Sequence, residues 1–378
     1  MAVDPRVTAY AALLVERCLD VQEGWQVLIR SHPAARPALE EVMSLIARRG
    51  AYPLLRMNFS LWPTDEVWVE TAPDDLVGEL AEIDRFASEH MNARITMEAP
   101  DNTRGVADLP PERRALARKA LAPFFRRTMS HEIPWVSCQF PTPALAQEAG
   151  MSVADFERFF YGAVLRDWDA EAEKMTRLLE RFDAADTVRI VGEDTDVTLS
   201  IAGRTGEMDE GKVNMPGGEF FFAPVEDSAE GTILFDLPTD FEGDPVDRIR
   251  LRFSKGRAEE ASAERGEETL LAALAIDDGA RFVGELGIGC NEGITRPARN
   301  VLFDEKMAGT IHMAIGASYT HIGGKNKSSL HWDLVKDLRR GGRIELDGEI
   351  VQENGTWLIY SRSPLRPRSP TATRTFLR

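Results

Sequence analysis

The chain has 378 residues, enough at roughly 150 per domain for two or three domains that bury cores without disulfide or metal staples. A composition of 43% hydrophobic and 28% charged residues excludes a disordered or collagen-like chain. Sixty-two acids against 45 bases give a net charge of -17, which repels phosphate backbones and anionic headgroups, so no nucleic acid and no membrane is expected as a partner.

Apolar runs fall short of the roughly 18 to 20 residues that cross a bilayer, and the opening Met1-Ala-Val-Asp-Pro-Arg6 lacks a signal-peptide core, so a cytoplasmic protein is expected. Cys18, Cys138 and Cys290 are too far apart for a metal knuckle and odd in number, so each is expected to be a buried small apolar residue. Val7, Tyr10, Ala11, Leu14, Val15 and Cys18 recur at helical spacing and predict a helix over 7–19, followed by a strand over 25–29. An amphipathic helix over 39–47, closed by Gly50 in a left-handed cap, leads to a strand over 51–57. Strands alternating with helices imply a parallel sheet. Pro110 and Pro111 fit only a first helical turn and predict one basic helix to about Arg127, while Pro134 and Pro141 bracket a strand over 135–140. Ser152-Val-Ala-Asp155 reads as a capping box that opens one long helix to about Phe182.

After that helix the period changes to two, with strands over 187–191, 197–201, 232–235 and 249–253. Lys255-Gly256, Asp347-Gly348 and Asn354-Gly355 read as hairpin turns, because their geometry demands positive φ. The expected fold class is an α/β N-terminal domain with a parallel sheet over 1–185, plus a β-rich α+β C-terminal metal-binding domain over 186–362. From Ser361 onward the chain carries five arginines, three prolines and no acid, so 363–378 reads as a basic solvated tail.

His312, His321 and His331 lie within twenty positions of one another. Ser329-Leu-His331-Trp-Asp333 alternates apolar and polar, so a strand sends His331 and Asp333 out of one face, where an imidazole and a carboxylate can share a divalent ion. Glu305 and His312 are seven residues apart, two turns on one face if that segment is helical. Glu219 follows Gly217-Gly218, and Glu285 follows Gly284; both precede apolar residues, a setting that desolvates a carboxylate unless a cation meets it. Four carboxylates and two imidazoles exceed one tetrahedral Zn²⁺ and suit two divalent ions bridged by a carboxylate and a hydroxide. Other motifs are weak: Gly316-Ala-Ser-Tyr319 lacks the flanks of a nucleophile elbow, no phosphate-binding loop or HExxH occurs, and Gly287-Ile-Gly289-Cys290 reads as room for close backbone approach.

The motifs Asn214-Met-Pro-Gly-Gly-Glu219-Phe, Gly284-Glu285, Leu302-Phe-Asp-Glu305, Ile311-His312-Met-Ala-Ile-Gly316, Tyr319 and Leu330-His331-Trp-Asp333 resemble, in order and spacing, the aminopeptidase T and aminopeptidase S family of dinuclear metallopeptidases. Tyr10-Ala-Ala-Leu-Leu-Val-Glu-Arg-Cys18 and Val27-Leu-Ile-Arg30 extend the resemblance over nearly the whole chain. It implies two divalent metal ions (Zn²⁺, Co²⁺ or Mg²⁺) on Glu219, Glu285, Glu305, His312, His331 and Asp333, a catalytic Tyr319, peptide substrates with a free N-terminus, and a homodimer whose sites open into an internal space. One departure is Gly-Gly-Glu where aminopeptidase T has two acids.

On this reading a hydroxide between two metals attacks the first peptide bond, Glu305 takes the water's proton and returns it to the leaving amine, and Tyr319 donates a hydrogen bond to the oxyanion. Two rival readings are an Fe²⁺-dependent ring-cleaving dioxygenase built on His312, His331 and Asp333, which leaves three glutamates without a role, and a non-catalytic peptide-binding dimer.

Overall fold

Continuous buried runs such as Val27-Leu28-Ile29 suit a strand covered on both faces, and they build a parallel sheet. In the computed structural model, which describes residues 4–59, 65–130, 132–241 and 243–358, this sheet has five strands. Their order is Tyr52–Met57, Gln26–Ser31, Ala93–Glu98, Trp135–Gln139 and Asn214–Met215, with every neighbouring pair parallel. Ala93–Glu98 is a strand with no counterpart among the predicted elements, although Arg94-Ile-Thr-Met-Glu98 alternates polar and apolar residues as a strand does. The last strand comes from beyond residue 186, so the chain re-enters the first sheet after its second sheet has begun.

The first predicted helix forms as Pro5–Ala12 and continues as a π-helical turn over Leu13–Cys18. Arg36–Arg48 packs Ala38, Leu39, Val42 and Ile46 onto the parallel sheet's core. Two predicted helices are each broken. The basic one is Pro111–Ala120 and Ala122–Met129, because Pro123 has no N–H to continue the ladder and starts a new first turn instead. The long one is Val153–Val164 and Trp168–Asp183, parted where Leu165 leaves helical geometry (ψ 64°) and the Asp167 carboxylate caps the Ala170 N–H at 3.1 Å. Ser152 caps the first of these helices as expected, its hydroxyl accepting from the Asp155 N–H at 3.1 Å, while the Asp155 carboxylate accepts from that hydroxyl at 2.6 Å rather than from the Ser152 N–H of a full capping box.

Beyond residue 186 the sheets are antiparallel. One has eight strands, running Arg257–Ser262, Ile249–Ser254, Glu230–Phe235, Thr195–Ser200, Thr187–Gly192, Arg343–Leu346, Glu349–Glu353 and Thr356–Trp357. Three of its hairpins turn on the predicted dipeptides, with φ of 48°, 49° and 51° at Lys255, Asp347 and Asn354 and positive φ at the glycine after each. The third sheet carries the site, with strands His331–Asp337, Thr310–Gly316, Val283–Gly289, Glu219–Phe222 and Glu207–Asp209 in that order.

Alternation gives the third sheet two unlike faces. Phe220, Phe222, Leu286, Ile288, Ile311, Met313, Ile315, Trp332 and Leu334 point into the core shared with the eight-stranded sheet. Glu219, Glu285, His312 and Asp333 leave the opposite face, brought side by side by the pairings Glu285 with Ala314, His312 with Gly287, and Ala314 with Asp333.

Cys18 and Cys138 are buried as expected, whereas Cys290 is only partly buried, since it sits just past the end of its strand; all three are free. Among the described residues no helix is long and apolar enough to cross a membrane. The basic tail expected over 363–378 lies outside the described residues.

Candidate metal centre

Glu219 is the first residue of its strand, delivered by Gly217 and Gly218. A side chain at Gly218, whose φ is +108°, would sit 2.8 Å from the Asn291 Cβ, so only glycine lets the loop enter here. Glu285 stands beside a β-bulge at Val283 to Glu285 in the central strand. Glu305 and His312 do not share a helix as the spacing suggested. The helix Val301–Asp304 ends at Glu305, the chain turns through Gly309 at φ 85°, and His312 belongs to the strand Thr310–Gly316. The two residues still meet, because the reversal lays the Glu305 carbonyl against the imidazole.

Five of the six predicted ligands fall into two groups with ligand atoms within 4.8 Å of one another: Glu219, Glu305 and His312, and Glu285, His312 and Asp333. The sixth, His331, reaches the same acids from the rim, its Nε2 3.4 Å from Glu285 Oε2 and 3.7 Å from Asp333 Oδ2. His312 Nε2 lies 3.2 Å from Glu285 Oε1 and 3.7 Å from Glu219 Oε2. Both imidazoles are oriented from behind, with Nδ1 of His312 3.2 Å from the Glu305 carbonyl oxygen and Nδ1 of His331 3.0 Å from that of Ala317. Each carbonyl takes an N–H from Nδ1 and leaves Nε2 facing the carboxylates, the arrangement that orients a metal-binding histidine. His321 does not join them; its Nε2 contacts Glu207 at the cavity wall.

Burial sets the electrostatics. It pushes the Glu285 carboxyl up, but hydrogen bonds with His312 and His331 outweigh it and hold the group at about 2. Burial pulls both imidazoles down, and the acids reverse this: Glu285 and Glu219 carry His312 up to about 10, and Asp333 with Glu285 carries His331 up to about 10. Asp333 is raised to about 6 by burial against the pull of His331. Burial and the surrounding carboxylates push the Tyr319 phenol far up, so it stays a hydrogen-bond donor. Its ring stands 5.3 Å from that of His331 and 5.5 Å from that of Phe221. Without metal the cluster is thus balanced by protons on its imidazoles.

Sequence reasoning missed Lys306. Its side chain is fully buried, with Nζ 3.0 Å from Glu219 Oε1 and in contact with Glu305 Oε1. Burial alone would lower this ammonium, but Glu219, Glu305 and Asp209 hold it well above the usual lysine value. The signal was present: a lysine between Phe303 and Met307, both buried, needs acids to meet it. Asp304, beside Glu305, is not turned to the cluster; its carboxylate accepts from the Ala298 and Asn300 N–H groups at 2.6 and 3.1 Å.

The donor set fits divalent cations: imidazole nitrogens and carboxylate oxygens are borderline and hard donors, and Glu219 Oε2 is buried with no hydrogen-bond partner. The cluster lies at the floor of a cavity of about 410 Å³, walled by Trp135 of the parallel sheet and by Met208, Phe221 and Tyr319. Gly287 makes the room. A Cβ there would lie 1.9 Å from His312 Cε1 and 2.1 Å from Nε2. Gly287→Ala is therefore expected to turn the imidazole and weaken metal binding by about 10- to 100-fold, as loss of orientation does elsewhere; titration with Zn²⁺ against a competing chelator checks it, and an unchanged affinity would show that the ring tolerates the shift.

The family model of the thermophilic metalloproteases (M29) matches residues 3–357. Among curated relatives the chain is 25% identical to aminopeptidase 2 of Geobacillus stearothermophilus, covering 92% of this chain and 96% of that protein. It is 25% identical to aminopeptidase AmpS of Bacillus subtilis over 93% of this chain and 98% of the relative. It is 26% identical to aminopeptidase T of Thermus thermophilus over 95% of this chain and 96% of the relative. Of solved structures, wild-type AmpT from Thermus thermophilus has a similar fold, with a TM-score of 0.81 at 22% identity over 94% of this chain and 100% of that one. The 2,5-dihydroxypyridine dioxygenase of Pseudomonas putida KT2440 is more distant, with a TM-score of 0.57 at 15% identity over 93% of this chain and 96% of that one. With a family match over almost its full length, the chain belongs to the thermophilic metalloproteases (M29) and is a peptidase, hence a hydrolase.

Proposed function

We propose that the protein is a metal-dependent aminopeptidase that removes the N-terminal residue from peptides. The observation that carries this reading is the pair of imidazoles, His312 and His331, tied through Nδ1 to backbone carbonyls with both Nε2 atoms on the Glu285 carboxylate, in a chain of a metalloprotease family. Glu285, His312, His331 and Asp333 form the main cation-binding set, with Glu219 and Glu305 behind them. The sequence leads to an expectation of two cations on these six residues; with four of them gathered on one, Glu219 and Glu305 are left for a second, and the Lys306 ammonium lies between those two carboxylates. When bound, divalent cations such as Zn²⁺, Co²⁺ or Mg²⁺ supply a water acidified toward neutral pH and a Lewis acid for the scissile carbonyl.

The residues of the chain do the rest. Glu305 accepts the proton of the attacking water and returns it to the leaving amine. Tyr319, which keeps its proton, donates a hydrogen bond to the developing oxyanion, an effect on the order of 10²- to 10³-fold in similar donors. Glu207 and Asp209 line the cavity beside the cluster, and their carboxylate oxygens are acceptors for the N–H groups of a free α-amine, of which a blocked terminus keeps one and no charge. The same reading includes a homodimer, which the mass in solution checks.

A ring-cleaving iron enzyme has a likeness of fold in its favour. Glu285 speaks against a bare His312, His331 and Asp333 triad, since its two oxygens stand 3.2 and 3.4 Å from the two imidazoles. The test is a matched pair of peptides with free and acetylated N-termini. Release of the first residue from the free peptide alone is expected. Equal cleavage of both would make the enzyme an endopeptidase, and oxygen uptake with a dihydroxypyridine but no cleavage would favour the iron reading.

A further inference from the structure

We propose that this centre takes one divalent cation per chain, because the ammonium of Lys306 holds the place between Glu219 and Glu305 that a second cation would need. The inference rests on the metallopeptidase reading above and sharpens its metal count from two to one. The two candidate ligand groups share a single residue, His312. An imidazole whose Nδ1 is engaged with a carbonyl has one nitrogen left, and one nitrogen lone pair serves one ion. That nitrogen lies nearer Glu285 (3.2 Å) than Glu219 (3.7 Å), and His331 and Asp333 gather on the Glu285 side as well. The Glu219 and Glu305 side is left with carboxylates alone.

Those carboxylates already have a cation. Lys306 Nζ lies 3.0 Å from Glu219 Oε1 and contacts Glu305 Oε1, from a side chain with 0% exposure and so no open path to swing away. Its backbone is fixed too: the Lys306 N–H donates to the Phe303 carbonyl at 3.1 Å, and its carbonyl accepts from the Asn291 N–H at 2.8 Å. Glu219 divides its oxygens between the two positions. Oε1 binds the ammonium, while Oε2 is buried without a hydrogen-bond partner and is the oxygen 3.7 Å from His312 Nε2, turned toward the first cation. One dication with one ammonium nearly balances the four carboxylates. A second dication would meet the ammonium at hydrogen-bond range in a dry site, where like charges repel most strongly.

The test is a metal count on the full chain, incubated with excess Zn²⁺, freed of loose ion by gel filtration and measured by elemental analysis. One ion per chain is expected; none or two would overturn the proposal. In Lys306→Met, which keeps the length of the side chain and removes its charge, the count is expected to rise toward two. A folded Lys306→Met that still holds one ion would overturn the role given to the ammonium. If that variant does not fold, the wild-type count alone decides between the outcomes. Peptide hydrolysis by the same samples separates this proposal from the functional reading. One ion with no hydrolysis removes the aminopeptidase and keeps the count, whereas two ions with hydrolysis does the reverse.

Discussion

Excess chelator is expected to abolish the release of N-terminal residues from unblocked peptides, and added Co²⁺ or Zn²⁺ to restore it. The cluster concentrates Glu219, Glu285, Glu305 and Asp333 around two imidazoles and the buried Lys306; with the cation removed, only protons on the imidazoles meet those acids, and protons supply neither an acidified water nor a Lewis acid for the scissile carbonyl. Removal should also be visible without any assay. A ligand that binds only the folded chain stabilises it by about 2.7 kcal/mol at a free concentration 100 times its dissociation constant, so the chelated protein should melt at a lower temperature.

The pH dependence of rebinding has a definite sign. His312 and His331 are held protonated to about 10 in the metal-free cluster, so each must release a proton before Nε2 can coordinate. Apparent affinity should therefore rise with pH through neutrality and fall as the solution is made acidic. Full activity in excess chelator, or an affinity indifferent to pH, would remove the cluster from the reaction.

Replacing Glu285 by glutamine is expected to empty the centre and lower kcat/KM on the order of 10²-fold or more, since disturbing even the groups behind a ligand weakens metal binding by about 10- to 100-fold. Glu285 is buried at 4% exposure and, among the described residues, is the one acid within hydrogen-bonding reach of both Nε2 atoms. An amide of the same shape keeps the packing of the central strand but offers one weak acceptor where the carboxylate offers two charged oxygens. The result is read by elemental analysis beside a circular-dichroism spectrum. A folded Glu285→Gln chain with its full complement of metal would take Glu285 out of the ligand set and leave the assignment to Glu219 and Glu305.

Much of the fold was legible because the signals are local. The change of period near residue 186, the hairpin dipeptides and the Ser152 helix cap each express the conformational preference of a few neighbouring residues, and each is present in the structure. The misreadings are of two kinds. Helix lengths were overestimated where Pro123 and the Asp167 cap interrupt an otherwise continuous apolar period. The spacing of Glu305 and His312 brings them together as two turns only if the segment is helical, a count that does not register the reversal at Gly309.

The site divides in the same way. His331 and Asp333 were readable as a pair because they are two apart on one strand, and the glycines beside Glu219 and Glu285 marked both acids as special. Lys306 was passed over because a lysine in sequence gives no sign of which acids it will meet.

The sequence alone determined which donors the chain possesses, the order of the motifs that carry them, and the switch from alternating helices and strands to antiparallel hairpins. Only the tertiary structure decided which donors converge: that Glu285 meets His312 across neighbouring strands, that Gly287 clears the space for the imidazole, and that the Lys306 ammonium lies between Glu219 and Glu305. The reason is that a side chain's neighbours on a sheet are fixed by the register of strands distant in sequence, and a register is chosen by the packing of the whole apolar face rather than by any one segment.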